Sequence, residues 1–173
     1  MSPRVRWFDR RFEFALPVTR FPALVERLRG TPARVEERVR DLPPAVLARR
    51  DGTAWSIQEN LGHLLDLEPL WLRRAQQLDA GEAALAPADL TNRRTEEAGH
   101  NARPLAALLS AFRAERARLV TLLDAADDTA VARAARHPRL GTPMRLIDLV
   151  EFVAEHDDHH LARITELRRL AGV

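Results

Sequence analysis

"EHDDHHLARITEL", residues 155–167, places three histidines and three carboxylates in its first six positions. The stretch continues a helical pattern in which apolar residues recur every three or four positions, at Leu146, Leu149, Val150, Val153, Ile164 and Leu167. At 100° per residue, His160 falls inside this apolar stripe and His156 falls at its edge. His159 falls outside the stripe, so we expect it to face solvent or to pair with a neighbouring carboxylate.

His156 and His160 lie four residues apart, which is about 6 Å along a helix axis and on one face. Two imidazoles at this spacing can bind one metal ion at roughly 2.0–2.1 Å. On this pair alone, two half-buried histidines bonded to backbone or carboxylate groups are an equally good interpretation. Asp157 lies in the same stripe, where a carboxylate either pairs with arginine or accepts from the ring N–H of a ligand histidine. A base that acts through water is a further role for it.

An earlier amphipathic helix is predicted over residues 57–78. The segment "SIQE" at its start fits a capping box, in which the Ser56 hydroxyl and the Glu59 carboxylate satisfy free backbone donors. We prefer this role for Glu59 over support of a metal ligand. Pro69 removes one backbone hydrogen bond and predicts a kink. The apolar stripe of this helix contains Ile57, Leu61, Leu64, Trp71 and Ala75.

A third histidine, His63, lies on this helix in a row with Leu67 and Leu70 that flanks the main stripe. Such a row should face a neighbouring helix, where a lone histidine is usually a hydrogen-bonded core residue. Three inward histidines on two facing helices need a shared explanation, because an unpaired buried polar group costs several kcal/mol in the worst case. A metal ion held by three imidazoles, with one open position, is such an explanation. The sequence therefore predicts His63, His156 and His160 as metal ligands.

The first long helical stretch covers residues 20–29 and is interrupted by Gly30. Thr31 and Pro32 fit the cap and first position of a second stretch, although the two stretches are also compatible with one broken helix. Two prolines at 43–44 end this region.

Two further helices complete the pattern, one over residues 104–124 and one that begins at a Thr142 cap and Pro143 and runs to about residue 171. Four long amphipathic helices predict an all-α four-helix bundle. The long connection over residues 79–103 predicts a crossover between helices 2 and 3. We expect one domain over residues 1–173, with residues 1–19 as an N-terminal extension.

The composition favours a globular protein and argues against a disulfide-rich or membrane-spanning one. The chain has 46% hydrophobic and 30% charged residues, no cysteine, and no apolar run near the ~18 residues of a membrane span. Its pI of about 10.6 reflects the absence of lysine, tyrosine and cysteine, while the formal charge is only +2. We therefore expect a cytoplasmic protein that binds neither nucleic acid nor membrane. We expect His137, in a loop, to be a surface or packing residue, and His100 to lie away from the metal site, although the long connection that contains it could bring it close.

Three segments resemble the DinB-like (YfiT-like) metalloenzyme superfamily. They read "WSIQENLGHLLDLEPLW" (55–71), "DLTNRRTEEAGHN" (89–101) and "HPRLGTPMRLIDLVEFVAEHDDHHLARI" (137–164). The motifs are loose individually and fairly specific in combination, and the resemblance extends from about residue 20 to the end. It implies a four-helix bundle, often dimeric, with zinc or nickel on His63, His156 and His160. It also implies thiol-dependent transferase or isomerase chemistry with a low-molecular-weight thiol.

The favoured hypothesis is a metal-dependent transferase that activates such a thiol, with water activation by a hydrolase as a variant. A second hypothesis is a non-catalytic, stress-associated protein in which the ion only joins the two helices. A third is a metal-free bundle that acts through its surface, and apolar residues left on helices 2 and 3 permit a homodimer in any of these cases.

Overall fold

Four long helices dominate the computed structural model, which describes residues 5–173. They are α1 (Phe21–Val39), α3 (Ile57–Asp79), α5 (Leu105–Asp124) and α7 (Leu146–Ala171). The connections contain the short helices α2 (Pro44–Leu47), α4 (Arg93–Glu97) and α6 (Asp128–Ala132), and the strands β1 (Ala134–Arg136) and β2 (Pro143–Arg145). The two strands pair antiparallel, with Ala135 opposite Met144. No described helix is long and apolar enough to cross a membrane.

The four long helices form the predicted all-α four-helix bundle, and each packs against two neighbours. Helices α1 and α3 both pack against α5 and α7. Therefore α1 and α3, which are consecutive long helices, lie across one diagonal of the bundle. The next two long helices, α5 and α7, lie across the other diagonal. The long connection between α3 and α5 joins two helices that pack against each other, while the diagonal crossings are made by the connections that contain α2 and α6.

Local signals define the helix ends correctly in most places. The Ser56 hydroxyl accepts from the Glu59 amide at 3.1 Å and the Glu59 carboxylate accepts from the Ser56 amide at 2.9 Å, so the capping box is confirmed. Gly172 ends α7 with a positive φ of 78°. The predicted start of α7 at Pro143 is wrong, because residues 143–145 form β2 and the helix begins at Leu146. Pairing with β1, a tertiary contact, overrides the Thr-Pro start signal.

Helix α1 runs through Gly30 and Pro32 without a break, which corrects the predicted interruption. Pro32 has no N–H, so the carbonyl of Leu28 loses its helical donor. The guanidinium of Arg116 on α5 donates to this carbonyl at 3.1 Å instead. A side chain from another helix therefore satisfies the acceptor that would otherwise make the proline costly.

Arg116 is the centre of a buried ion-pair cluster that also contains Glu68, Asp157 and Thr31. Its guanidinium donates to both oxygens of Glu68, at 2.6 and 3.0 Å, and to both oxygens of Asp157, at 2.6 and 3.1 Å. With the bond to α1, all five of its N–H donors are used. Asp157 is completely buried and also accepts from the Thr31 hydroxyl at 2.8 Å.

The N-terminal segment packs onto α7 over its described part, residues 5–19. The ring of Trp7 lies 5.0 Å from that of Phe152, and Phe12 lies 4.9 Å from the same ring. Arg10 donates to Glu155 at 3.0 Å. Residues 1–4 of the predicted extension lie outside the described residues.

Candidate metal centre

His63 of α3 and His156 and His160 of α7 meet in the interior of the bundle. Their ring centroids are 4.6 to 5.3 Å apart, and one nitrogen from each ring lies within 4.8 Å of the other two. The three side chains are almost fully buried, with 4 to 7% exposure. Packing of α3 against α7 thus brings together the three histidines that the helical pattern selected.

The protonation of His63 follows from its hydrogen bonds. Its Nδ1 lies 3.0 Å from the Thr95 hydroxyl, which donates its own proton to Asp66 at 2.9 Å. The hydroxyl can then only accept from His63, so the ring proton is on Nδ1 and the lone pair is on Nε2. Asp66 also accepts from Nε2 of His100 at 2.8 Å, which anchors this chain of bonds in the long connection.

His160 is oriented in the same way by Asn60. The Asn60 amide nitrogen donates to the carbonyl of Ser56 at 2.7 Å, so its oxygen faces Nδ1 of His160 at 2.8 Å and accepts from it. Nε2 of His160 therefore carries the lone pair.

The third ring differs, because Nδ1 of His156 is buried and has no hydrogen-bond partner among the described residues.

Burial keeps the imidazoles of His63 and His156 neutral. Burial lowers the pKa of His63 to about 4, and burial together with the neighbouring His63 lowers the pKa of His156 well below its ordinary value. Burial alone would raise the pKa of Asp66, but hydrogen bonds from His100 and Thr95 lower it. At neutral pH these two rings therefore offer lone pairs without competing protons, and Asp66, which is linked to His63 through Thr95, is ionised.

These residues fit a divalent metal ion. Tetrahedral bonds of roughly 2.0–2.1 Å would place three ligand nitrogens about 3.4 Å apart, so nitrogens that lie within 4.8 Å of one another would have to approach by up to about 1.4 Å. Imidazole is a preferred ligand of zinc and nickel. Ligand histidines usually donate their other ring N–H to an oxygen acceptor, and His63 and His160 donate theirs to Thr95 and Asn60. The unpartnered nitrogen of His156 is a further sign that the centre is incomplete without a ligand.

The centre opens into a cavity of about 550 Å³. All three tryptophans of the chain, Trp7, Trp55 and Trp71, line it, and the ring of Trp55 lies 4.7 Å from that of His63. Helix α7 contributes Phe152, and the hairpin contributes His137 and Arg139. A mostly apolar cavity with a few convergent polar groups is typical of a small-molecule site.

The structure confirms some of the remaining predictions from the sequence and contradicts others. His159 is buried, with its ring 5.8 Å from that of Trp7, so the prediction that it faces solvent is wrong. The N-terminal segment covers that side of α7, which helical periodicity cannot reveal. His137 is a buried packing residue, as one alternative predicted. His100, expected at some distance, lies one hydrogen bond from the carboxylate that supports the centre. Asp157 has the arginine-paired environment, and its base role stays a prediction.

The sequence analysis did not identify the residues that orient His63 and His160. Asn60 and Asp66 lie three residues before and three residues after His63, on a helix face that is buried. Two polar residues flanking a candidate ligand at helical spacing were an available signal. Thr95 had no comparable signal, because it lies in a connection whose path only the fold determines.

Comparisons with known proteins agree with this architecture. The sequence profile of the DinB superfamily matches residues 27–164. YfiT from Bacillus subtilis, described as a probable metal-dependent hydrolase with an unusual four-helix bundle topology, superimposes with a TM-score of 0.82 at 23% identity, over 94% of this chain and 93% of that chain. The mycothiol-dependent maleylpyruvate isomerase matches with a TM-score of 0.67 at 12% identity, over 91% of this chain and 62% of that chain. No curated protein sequence matches. At these identities the structural matches establish the fold.

Proposed function

The chain belongs to the DinB superfamily, and from this premise we propose that it is a metal-dependent enzyme with zinc or nickel held by His63, His156 and His160. One observation supports this more than any other: three buried imidazoles with mutually close nitrogens open into a cavity of small-molecule size. A cytoplasmic location, a single domain and a homodimer stay predictions from the sequence.

We favour transfer of a low-molecular-weight thiol to an electrophilic small molecule. A divalent ion at this centre supplies a Lewis acid that makes a thiol or water nucleophilic near neutral pH. Thr95 and Asn60 hold two of the rings with their Nε2 lone pairs toward the centre. Trp55 and Trp71 provide apolar walls that exclude water and bind the uncharged part of a substrate. The mycothiol dependence of one structural neighbour supports a thiol as co-substrate.

Hydrolysis is the second candidate. The description of YfiT as a probable metal-dependent hydrolase favours it, and YfiT matches this chain over nearly its whole length. The same residues would then orient a water molecule. The two candidates share the metal centre and differ in the nucleophile, so a thiol requirement separates them.

Metal content tests the centre itself. We expect about one divalent ion per chain in the wild type, close to none in His160→Ala, and an unchanged content in His159→Ala, because His159 lies outside the three-nitrogen cluster. His159 is the matched control, since it is buried on the same helix as His160 and its ring lies beside the ring of His160. Elemental analysis of the purified proteins measures this. Equal metal content in the wild type and His160→Ala would remove His160 from the ligand set.

A screen of thiols against electrophiles, and of ester and amide substrates without thiol, tests the reaction. We expect turnover only with a thiol present, and its loss in His160→Ala. Turnover without thiol would favour the hydrolase. A metal ion that raises the melting temperature without any turnover would favour the non-catalytic role.

A further inference from the structure

Two arginines line the same cavity as the metal centre and have no acidic partner. Arg74 extends from α3, and Arg139 lies in the turn between β1 and β2, next to His137. Neither arginine forms an ion pair with any carboxylate of the described residues. Residues 1–4 contain no acidic side chain, so every carboxylate of the chain is included in this statement.

Arg74 is a buried cation, with only 1% of its surface exposed. Its Nε donates to the carbonyl of Ala86 at 2.9 Å, its Nη1 lies 3.1 Å from Nε2 of His137, and its guanidinium lies over the ring of Trp71 at 5.5 Å. None of these partners carries a negative charge. Burial, together with the nearby charge of Arg139, lowers the pKa of Arg74 to about 10. Removing a charge from water without a counter-ion is costly, so this arrangement needs a compensating anion.

Arg139 adds a second uncompensated guanidinium. Its Nη2 is buried without a hydrogen-bond partner among the described residues, and its charge lies over the ring of Phe8 at 5.4 Å. Two like charges on one cavity wall repel each other. Arg116, buried to the same degree as Arg74, instead has two carboxylates and no unused donor.

Hydrogen-bond donors face both ring nitrogens of His137. The amide of Leu140 donates to Nδ1 at 3.1 Å, and Nη1 of Arg74 lies 3.1 Å from Nε2. Burial and the two arginines lower the pKa of His137 to about 4, so its ring is neutral at pH 7 and has one lone pair only. One of the two contacts therefore places donor against donor. An oxygen anion beside Arg74 and His137 would accept from both.

We propose that Arg74, Arg139 and His137 bind a carboxylate of the substrate, so that the enzyme acts on small molecules that carry a carboxylate near their reacting group. A guanidinium fork and a ring N–H are the donors that a carboxylate uses most effectively. That the bound carboxylate belongs to a substrate rests on the proposed function, whereas the anion site does not. The carboxylate belongs either to the thiol or to its electrophilic partner.

The other charged residues of the cavity wall are already satisfied. Arg163 pairs with Asp51 and with Glu166, both at 2.9 Å. The carboxylate of Asp89 accepts from the backbone of Thr91 and from the amide of Arg93. Asp89 is exposed and pairs with neither arginine, so the uncompensated positive charge of the cavity lies at Arg74 and Arg139.

Binding of benzoate and of its neutral analogue benzamide to metal-free protein, dialysed after chelation, tests the site. Because all three tryptophans line the cavity, their fluorescence reports binding directly. We expect benzamide to bind about 10-fold or more weakly than benzoate. We expect Arg139→Gln to weaken benzoate binding by a similar factor and to leave benzamide binding unchanged. Arg118→Gln, at an exposed arginine of α5, is the matched control and should match the wild type.

Equal binding of benzoate and benzamide, no benzoate binding, or no effect of Arg139→Gln would each overturn the proposal. Benzoate binding that appears only after metal is added would also overturn it, because the ion would then be the anion site. Wild-type protein that contains no metal but still binds benzoate through Arg139 would refute the proposed function and support the anion site.

Competition in the same metal-free protein identifies the source of the carboxylate. Displacement of benzoate by 3-mercaptopropionate and not by 2-mercaptoethanol supports a carboxylate on the thiol. Displacement by maleate and not by its diamide supports a carboxylate on the electrophile. If neither carboxylate displaces benzoate, the proposed substrate class is wrong.

Discussion

Two buried arginines of this bundle have opposite environments. Arg116, between α1, α3 and α7, has two carboxylates and a helix carbonyl, and each of its five donors is used. Arg74 has a neutral carbonyl, a histidine and an indole ring, and no carboxylate. The charges and donors of the Arg116 cluster are paired within the bundle, so we expect Arg116 to stabilise the fold. The environment of Arg74 contains no negative charge, which we propose a bound carboxylate supplies, and Arg74 lines the cavity that also contains the three histidines.

Removal of the central charge of the balanced cluster should have the largest effect. In Arg116→Met, Glu68 and Asp157 lose their counter-ion while they remain buried. We expect a loss of about 3–5 kcal/mol in the free energy of unfolding, or roughly 6–20 °C in melting temperature. Chemical and thermal unfolding measure this. Arg118→Met removes an exposed partner of Glu115 and should cost less than about 1 kcal/mol. Similar losses in both variants would contradict a structural role specific to Arg116.

Gly62 tests the packing beneath the histidine centre. A Cβ atom at this position would lie 2.2 Å from Cγ of His100, so Gly62→Ala must displace the ring that donates to Asp66. We expect a loss of about 1–3 kcal/mol in stability, measured by urea unfolding. Gly30→Ala is the control, because a Cβ atom there would meet no other atom within 4 Å, and it should stabilise α1 by about 0.5–1 kcal/mol. A stabilising Gly62→Ala would show that His100 is not held there.

A substitution of Thr95 by a residue of the same size tests how the Thr95 hydroxyl supports His63. Thr95→Val removes the acceptor for His63 and the donor to Asp66, so the ring loses its orientation. We expect a 10–100-fold loss of metal affinity, which is typical for such outer partners. Thr95→Ser keeps the hydroxyl and should lie close to the wild type in a metal-competition titration. Equal losses in both variants would indicate a packing effect instead.

The pH dependence of stability tests the protonation state of His137, which lines the cavity beside Arg74. Burial lowers the pKa of His137 to about 4, whereas the unfolded value is about 6.5. Between these values the unfolded chain binds a proton that the folded protein does not, so stability falls as pH decreases from about 6.5 to 4. In metal-free protein, His137→Gln should reduce this slope by up to about 1.4 kcal/mol per pH unit. Urea unfolding at pH 5, 6 and 7 measures it, and an unchanged slope would contradict a neutral, buried His137.

Local patterns were sufficient to predict the four long helices and the three histidines that cluster between α3 and α7. The 3.6-residue period placed His156 and His160 on the buried face of α7, and the Ser56–Glu59 pair marked the start of α3, because both depend only on residues three or four positions apart. Facing helices then made His63 the third member of the set. These features are determined by the sequence itself, through backbone geometry that any helix shares.

Tertiary structure alone decided which side chains from distant segments meet. It determined that α1 lies diagonally opposite α3 and that Trp7 covers His159. It also determined that Arg116 donates to the Leu28 carbonyl, which has no helical donor because residue 32 is proline. It also brought Thr95 to His63, and the β1–β2 turn to Arg74. Such contacts depend on how whole elements pack and on the path of long connections, for which local periodicity contains no information. The helical positions of the histidines thus specified a candidate metal site, and the packing of the bundle specified what surrounds it.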